Sequence, residues 1–140
     1  MKPQLRTQYD LMNACAEKLA NKPVLIRLKK PATKGNTGEC HRSPGGMIII
    51  DIRPGLSNND LLFVYCHEVA HAKLHNFARS KTYEKQPESL QPDIRTKVYN
   101  IHEDQAETQA AEWLRYAKEN RDPTLPFLEG ALFSLYNREQ

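Results

Sequence analysis

The chain has 140 residues, and its 39% of hydrophobic residues suffices for one core, so we expect a single domain over residues 1–140. Its net charge of +3 is too small for nucleic acid to be expected as the primary partner. No apolar run approaches the ~20 residues of a membrane span, and the first residues lack the apolar segment of a signal peptide. Three cysteines without a CxxC pair favour a reducing compartment, so we expect a cytoplasmic protein without a membrane partner.

The first half of the chain is predicted to hold one helix and two or three strands. Apolar residues recur at helical spacing from Leu5 to Ala20. The β-branched segment Val24–Leu28 and the apolar run Met47–Ile52 are predicted strands, and Glu39–Arg42 could form another. Pro44-Gly45-Gly46 predicts a hairpin turn before the apolar run. We therefore expect a small antiparallel sheet of two or three strands.

Three helices are predicted in the second half. The first begins after Ser57, a good helix cap, and runs to about Asn76. A polar stretch separates it from a long helix over Pro92–Asn120, and a short amphipathic helix covers Leu128–Tyr136. This order of elements predicts an α+β fold in which helices pack on a small sheet.

The segment His67-Glu68-Val69-Ala70-His71 has the HExxH pattern on the first of these helices. Two histidines four residues apart lie on one helix face, so both imidazoles can reach one zinc ion. Glu68 lies about 100° further round the helix, where it can act as general base on the water that the metal activates. Ordinary polar residues on a solvated helix would give the same letters, but the apolar residues Phe63–Tyr65 beside them favour a metal site.

A catalytic zinc site needs a third protein ligand and one open position. His75 continues the row of histidines, but one ion cannot be reached from three successive turns, so a supporting role is favoured for it. Glu103 and Glu107 lie one turn apart beside small residues, and such a pair could supply a ligand and an acceptor for a zinc-bound histidine. Alternatively, the two glutamates could belong to an exposed acidic helix face that has no ligand role, because such a face would show the same spacing. The candidates for the third ligand that follow the HExxH segment in the chain are Glu84, Glu88, His102, Glu103, Asp104, Glu107 and Glu112.

The stretch from Gly45 to Leu114 resembles the ImmA/IrrE family of small zincin metallopeptidases. The resemblance rests on an apolar strand, the helix with HEVAHAKLH, and residues 103–114, which fit the family pattern E-x-E-A-N-x-F-A-A-x-L-L in register. Gln105 replaces an acid, Gln109 replaces an aromatic residue, and Glu107 stands where that family has asparagine. The same segment resembles, more distantly, the zincin domain of ArdC-type antirestriction proteins.

The resemblance implies a zincin-like fold with zinc held by His67, His71 and Glu103. It places Glu68 in the catalytic role, and Glu107 resembles the acid that orients a zinc-bound histidine in gluzincins. It also implies a regulatory protease that cuts one protein, such as a transcriptional repressor, and an origin in a mobile element.

The sequence leaves open the oxyanion-stabilising group, the way in which substrate binds and the identity of the metal. An oxyanion-stabilising group is expected, and the candidates are Tyr65, Tyr83, Tyr99 and His102. The strand Met47–Ile52 could lie at the sheet edge, where a substrate could pair with it as an added strand. Zinc is favoured by the mixed donor set, but iron, cobalt or manganese could use the same ligands.

Two other functions remain compatible with the sequence. One is a zinc-containing binding module without hydrolytic activity. The other is an antirestriction or nucleic-acid-associated protein, in which exposed basic residues would contact phosphates. A solubilising role is favoured for these basic residues. The basic residues that could contact phosphates are Arg27, Lys29, Lys30, Lys34 and Arg42.

Overall fold

The structure, a computed structural model, describes residues 7–75 and 91–138, with residues 91–99 as helical backbone only. The expected α+β class is confirmed. The predicted helix start at Leu5 and helix end at Asn76 lie outside the described residues. None of the described helices combines the length and apolarity needed to cross a bilayer. The elements are α1 (Gln8–Ala20), β1 (Val24–Leu28), β2 (Gly38–Arg42), β3 (Ile48–Ile52), α2 (Asn58–Leu74), α3 (Gln91–Asn120) and α4 (Phe127–Arg138).

The three strands form a mixed sheet in the order β1-β3-β2. Strand β3 runs parallel to β1, with Val24 opposite Ile48, and antiparallel to β2, with Gly38 opposite Ile52. The prediction of a purely antiparallel sheet is therefore wrong. The possible edge position of Met47–Ile52 is wrong as well, because β3 pairs with β1 along one edge and with β2 along the other. Ile48, Ile50 and Ile52 share one face of this central strand and are buried, while on the other face Asp51 is buried and Ile49 is partly buried.

The hairpin between β2 and β3 follows the predicted turn. The backbone N–H of Ser43 donates to the Met47 carbonyl at 2.8 Å, and that of Gly46 donates to the Ser43 carbonyl at 2.9 Å. Gly46 has φ +88°, a conformation that favours glycine. The turn therefore sets the register that carries Gly38 to the far end of β2.

Helix α1 covers the free edge of β1. Thr7 caps it by accepting from the backbone N–H of Asp10 at 3.0 Å. The Tyr9 hydroxyl donates to the Ile26 carbonyl, and the Asn13 side chain accepts from the Ile26 N–H at 2.9 Å. Side chains of α1 thus partly occupy the β1 backbone, whereas no further strand of the described residues pairs with the outer edge of β2.

Helix α2 crosses the middle of the core, so it is fixed from several sides. Ser57 caps it as predicted, and the Tyr65 hydroxyl donates to the Met12 carbonyl at 2.8 Å. Helix α3 packs along α2, with Ala106 and Ala110 buried at that contact side, and α4 packs on α1 and α3. The core therefore holds the HExxH turn of α2 rigidly beside α3.

Candidate metal centre

Helices α2 and α3 bring three donor side chains to one point. The Nε2 atom of His67 lies 3.1 Å from Glu103 Oε2, and the Nε2 atom of His71 lies 3.1 Å from Glu103 Oε1. The side chains are 17%, 13% and 29% exposed for His67, His71 and Glu103, so the point that they share opens to solvent. Both histidines thus present the same ring nitrogen to one carboxylate.

These three side chains fit a metal ion. Their donor atoms all lie within 4.8 Å of one another, and among the described residues theirs is the one such group of three histidine, cysteine or acidic side chains. Tetrahedral zinc with bonds of 2.0–2.1 Å needs donor atoms about 3.4 Å apart, close to the separations seen here. Two imidazoles and one carboxylate also leave a fourth position open. The donor set therefore matches a catalytic zinc site better than a closed structural one.

The charge state of His71 suits a metal ligand. Burial lowers its pKa, Glu103 opposes this, and the neighbouring rings of His67 and His75 lower it further. The imidazole is therefore neutral at neutral pH, which is the form that offers a lone pair to a metal.

Glu68 is buried beside this centre, with 8% of its surface exposed. Burial, followed by the negative charges of Glu103 and Glu39, raises the pKa of Glu68 to about 8. A cation bound between the histidines and Glu103 would favour the charged carboxylate, because an opposite charge nearby stabilises it. The raised pKa of Glu68 thus identifies a carboxyl whose charged form a bound cation would stabilise.

A cavity of about 280 Å³ lies over the centre. Its walls come from β2 and the residues before it, from α2 and from α3. The lining includes Glu68 and Glu103 as well as Phe63, whose ring stacks near His67 with 6.4 Å between centroids. The other lining residues are Asn36, Thr37, Gly38, Val64, His67 and Glu107.

Gly38 lets β2 approach the HExxH turn of α2. A Cβ at this position would lie 2.5 Å from Val64 Cγ1 and 3.0 Å from Glu68 Cγ. Any larger residue would push the strand and the glutamate apart. This role of Gly38 could not be predicted from the sequence, because a glycine in a turn-rich stretch carries no mark of a close contact with a distant helix.

Glu107 lies on the cavity wall but is exposed, and it makes no hydrogen bond with His67 or His71. At His71 the ring nitrogen Nδ1 lies 3.0 Å from Nδ1 of His75. Glu107 lies a full turn beyond Glu103 on α3, whereas His75 follows the last residue of α2. The role of Glu107 as an acceptor for a zinc-bound histidine stays a prediction.

His75 occupies a buried position with 5% exposure. Its Nε2 atom lies 3.0 Å from Gln105 Oε1, and its ring stacks on His102 with centroids 3.9 Å apart. The supporting role expected for His75 agrees with this placement. Gln105 was not singled out as a site residue, since an amide on a polar helix has no distinctive spacing.

The remaining candidates lie elsewhere. The Tyr65 hydroxyl is directed at the Met12 carbonyl, so it does not face the cavity. Asp104 is exposed, and Glu112 pairs with Arg138 on the outer side of α3. The candidates Tyr83, Glu84 and Glu88 and the side chain of Tyr99 lie outside the described residues.

The basic residues named as possible phosphate contacts are divided by the fold. Arg27 donates through Nε and Nη2 to both carboxylate oxygens of the buried Asp51, at 2.6 Å and 2.9 Å. This pairing raises the pKa of Arg27 and satisfies the guanidinium. Lys29, Lys30 and Arg42 are exposed. Arg27 is therefore a link between β1 and β3 and not a free cation.

Comparison with protein-family models, curated proteins and solved structures gives no significant match to this chain. The interpretation of the centre therefore rests on its own geometry. Three facts carry it: two Nε2 atoms face one carboxylate, a buried glutamate adjoins them, and a cavity opens above.

Proposed function

We propose that the chain is a zinc-dependent metallopeptidase with a zincin-like fold, related in design to the ImmA/IrrE type. The observation that carries this proposal is the meeting of His67 and His71 on α2 with Glu103 on α3, 36 residues away from His67 in the chain. A chance HExxH on a solvated helix would not need a carboxylate from another helix opposite both Nε2 atoms.

In this proposal His67, His71 and Glu103 hold the ion. A zinc ion bound there supplies Lewis acidity and lowers the pKa of water to about 7. Glu68 lines the same cavity next to His67, so its carboxylate can take a proton from the attacking water. The same carboxyl can then return the proton to the leaving amine, because a group that holds a proton in a buried site releases it to a stronger base.

The substrate proposed is an extended segment of a protein, such as a transcriptional repressor. Strand β2 supports this, since Gly38 at its start lines the cavity and its outer edge is free of other strands in the described part of the chain. An extended peptide could add to that edge through backbone hydrogen bonds. Phe63, which is 53% exposed at the cavity, offers an apolar contact for a substrate side chain.

A second candidate is a zinc-containing binding module that does not cleave its partner. One observation favours it: neither Tyr65 nor His102, the described candidates for stabilising an oxyanion, is directed into the cavity. Both candidates predict zinc binding. They differ in the role of Glu68, which the peptidase needs for cleavage and which would affect only stability in the binding module.

Metal analysis of the purified protein tests the centre. We expect one zinc per chain in the wild type and in Glu107→Ala, and loss of zinc in Glu103→Ala. Glu107→Ala is a matched control because it removes the same charge one turn away on the same helix. Zinc retained in Glu103→Ala would contradict the ligand set.

Peptide cleavage tests the enzyme. The zinc-loaded protein is incubated with a peptide library, and new termini are identified by mass spectrometry. We expect cleavage by the wild type and at least about a hundredfold less by Glu68→Gln with its zinc retained, since a general base contributes 10²–10⁴-fold. Zinc in both proteins and cleavage by neither would favour the binding module.

A further inference from the structure

Three side chains form a line of hydrogen bonds that begins at His71 and leads away from the cavity. Nδ1 of His71 lies 3.0 Å from Nδ1 of His75, and Nε2 of His75 lies 3.0 Å from Oε1 of Gln105. His75 reaches back to His71 because α2 ends at Leu74 and His75 has extended backbone angles, with φ −118° and ψ 140°. His102 stacks on the His75 ring and so restricts its plane.

The chemistry of Gln105 sets the direction of each hydrogen bond in this line. An amide oxygen only accepts, so Nε2 of His75 must carry the hydrogen. In a neutral imidazole the other nitrogen is then an acceptor, and Nδ1 of His75 can only accept from Nδ1 of His71. His71 is left with its hydrogen on Nδ1 and a lone pair on Nε2, the atom that faces Glu103.

We propose that His75 and Gln105 are positioning residues that hold His71 in the tautomer and orientation required to bind a metal through Nε2. The proposal rests on the proposed metal centre, but it requires no hydrolysis. Partners of this kind on a metal-binding histidine commonly strengthen metal binding 10–100-fold. His75 and Gln105 supply that support from α2 and α3 together, so the ligand is set by both helices.

Zinc affinity, measured by competition with a chromophoric chelator, tests the proposal. We expect His75→Leu to weaken zinc binding by about 10–100-fold. His75→Asn should recover most of this loss, because an asparagine side chain can place an acceptor near the position of Nδ1. Gln105→Leu should give a smaller loss, since it removes only the far end of the line.

Three further variants separate hydrogen bonding from packing and charge. His102→Phe keeps a ring stacked on His75 and should leave the affinity unchanged. Gln105→Glu should strengthen zinc binding, because a carboxylate accepts more strongly from His75. Gln109→Glu, one turn further along α3, makes the same chemical change away from His75 and should have little effect.

A spectroscopic signature completes the test. Nitrogen-15 chemical shifts of the zinc-loaded protein should show His75 protonated at Nε2 and His71 protonated at Nδ1. Equal zinc affinity in the wild type, His75→Leu and Gln105→Leu, or a His75 ring protonated at Nδ1, would overturn the proposal and leave the metal centre intact. No zinc binding by the wild type would overturn both. If His75→Leu does not fold, the Gln105 variants decide.

Discussion

At the scale of single residues, the centre places the buried carboxyl of Glu68 within the electrostatic influence of the partly exposed Glu103. Glu68 is buried, and its pKa is raised by burial and by the charges of Glu103 and Glu39. Without a cation, the folded protein keeps a proton on Glu68 that the unfolded chain releases between about pH 4.5 and 8. The free energy of unfolding of the metal-free protein therefore falls as the pH rises through this range.

Replacing Glu68 with glutamine removes this pH-dependent fall in the free energy of unfolding. We expect Glu68→Gln to be more stable than the metal-free wild type at pH 9, by on the order of 5 kcal/mol, since the pKa of Glu68 is raised from 4.5 to about 8 and each unit of pKa shift corresponds to about 1.36 kcal/mol. The difference should vanish near pH 4, where the carboxyl is protonated in both states. Urea unfolding at both pH values measures it, with the exposed Glu119→Gln as control. An equal difference at both pH values would contradict the burial of a titrating Glu68.

Gly38 gives a second prediction for a single residue. Gly38→Ala places a Cβ 2.5 Å from Val64 Cγ1, so the strand or the helix must move. We expect a loss of about 1–3 kcal/mol in the free energy of unfolding, as in other overpacked sites. Gly45→Ala is the matched control, because the nearest atom to its Cβ would be Ser43 Oγ at 3.9 Å. Equal stability of the two variants in thermal unfolding would refute the close contact.

At the scale of elements, the centre depends on how closely α3 approaches α2. Ala106 is fully buried and lies one turn after His102, on the stretch of α3 that carries Glu103. A small side chain at this contact brings the two helix backbones together. The distance between Glu103 and the histidines is therefore set by packing, not by the motif itself.

Enlarging Ala106 should separate the helices and weaken the centre. We expect Ala106→Leu to lower the free energy of unfolding by about 1–3 kcal/mol and to reduce zinc affinity. Ala111→Leu adds the same group at an exposed position of α3 and should change neither quantity. Thermal unfolding and chelator competition measure the two effects. Unchanged zinc affinity in a destabilised Ala106→Leu would show that helix spacing does not set the site.

At the scale of the whole molecule, the buried residues form a core to which every helix contributes, together with β1 and β3. The two parts of the proposed metal centre lie on separate helices of this core, so an ion that binds both should stabilise the folded state as a whole. A ligand at 100 times its dissociation constant adds about 2.7 kcal/mol.

Zinc should therefore raise the melting temperature of the metal-free protein. At free zinc of about 100 times the dissociation constant we expect a rise of roughly 8–10 °C for a chain of this size. Glu103→Ala should show little of this rise. Magnesium should give none, because it prefers all-oxygen sites. A rise of the same size in Glu103→Ala would locate zinc binding elsewhere.

Several elements could be predicted because their signals are local. The cap at Ser57, the turn at Pro44-Gly45-Gly46 and the strand Val24–Leu28 each depend on a few adjacent residues, and the structure has all three. Helix α1 ends at Ala20, its cap Asn21 is in the left-handed conformation, and Pro23, which cannot continue a helix, follows two residues later. Four of the five residues of β3 are isoleucines, and such a composition is typical of a strand that is covered on both faces.

The sequence by itself determined the histidine pair, because residues four apart on a helix share a face whatever surrounds them. It also determined the α+β class through the order of its periodic segments. Only the tertiary structure decided the strand order, the approach of Gly38 to Glu68, and the line from His71 through His75 to Gln105. Those contacts join residues distant in the chain, and their geometry depends on how helices and strands pack, which no local pattern of residues specifies.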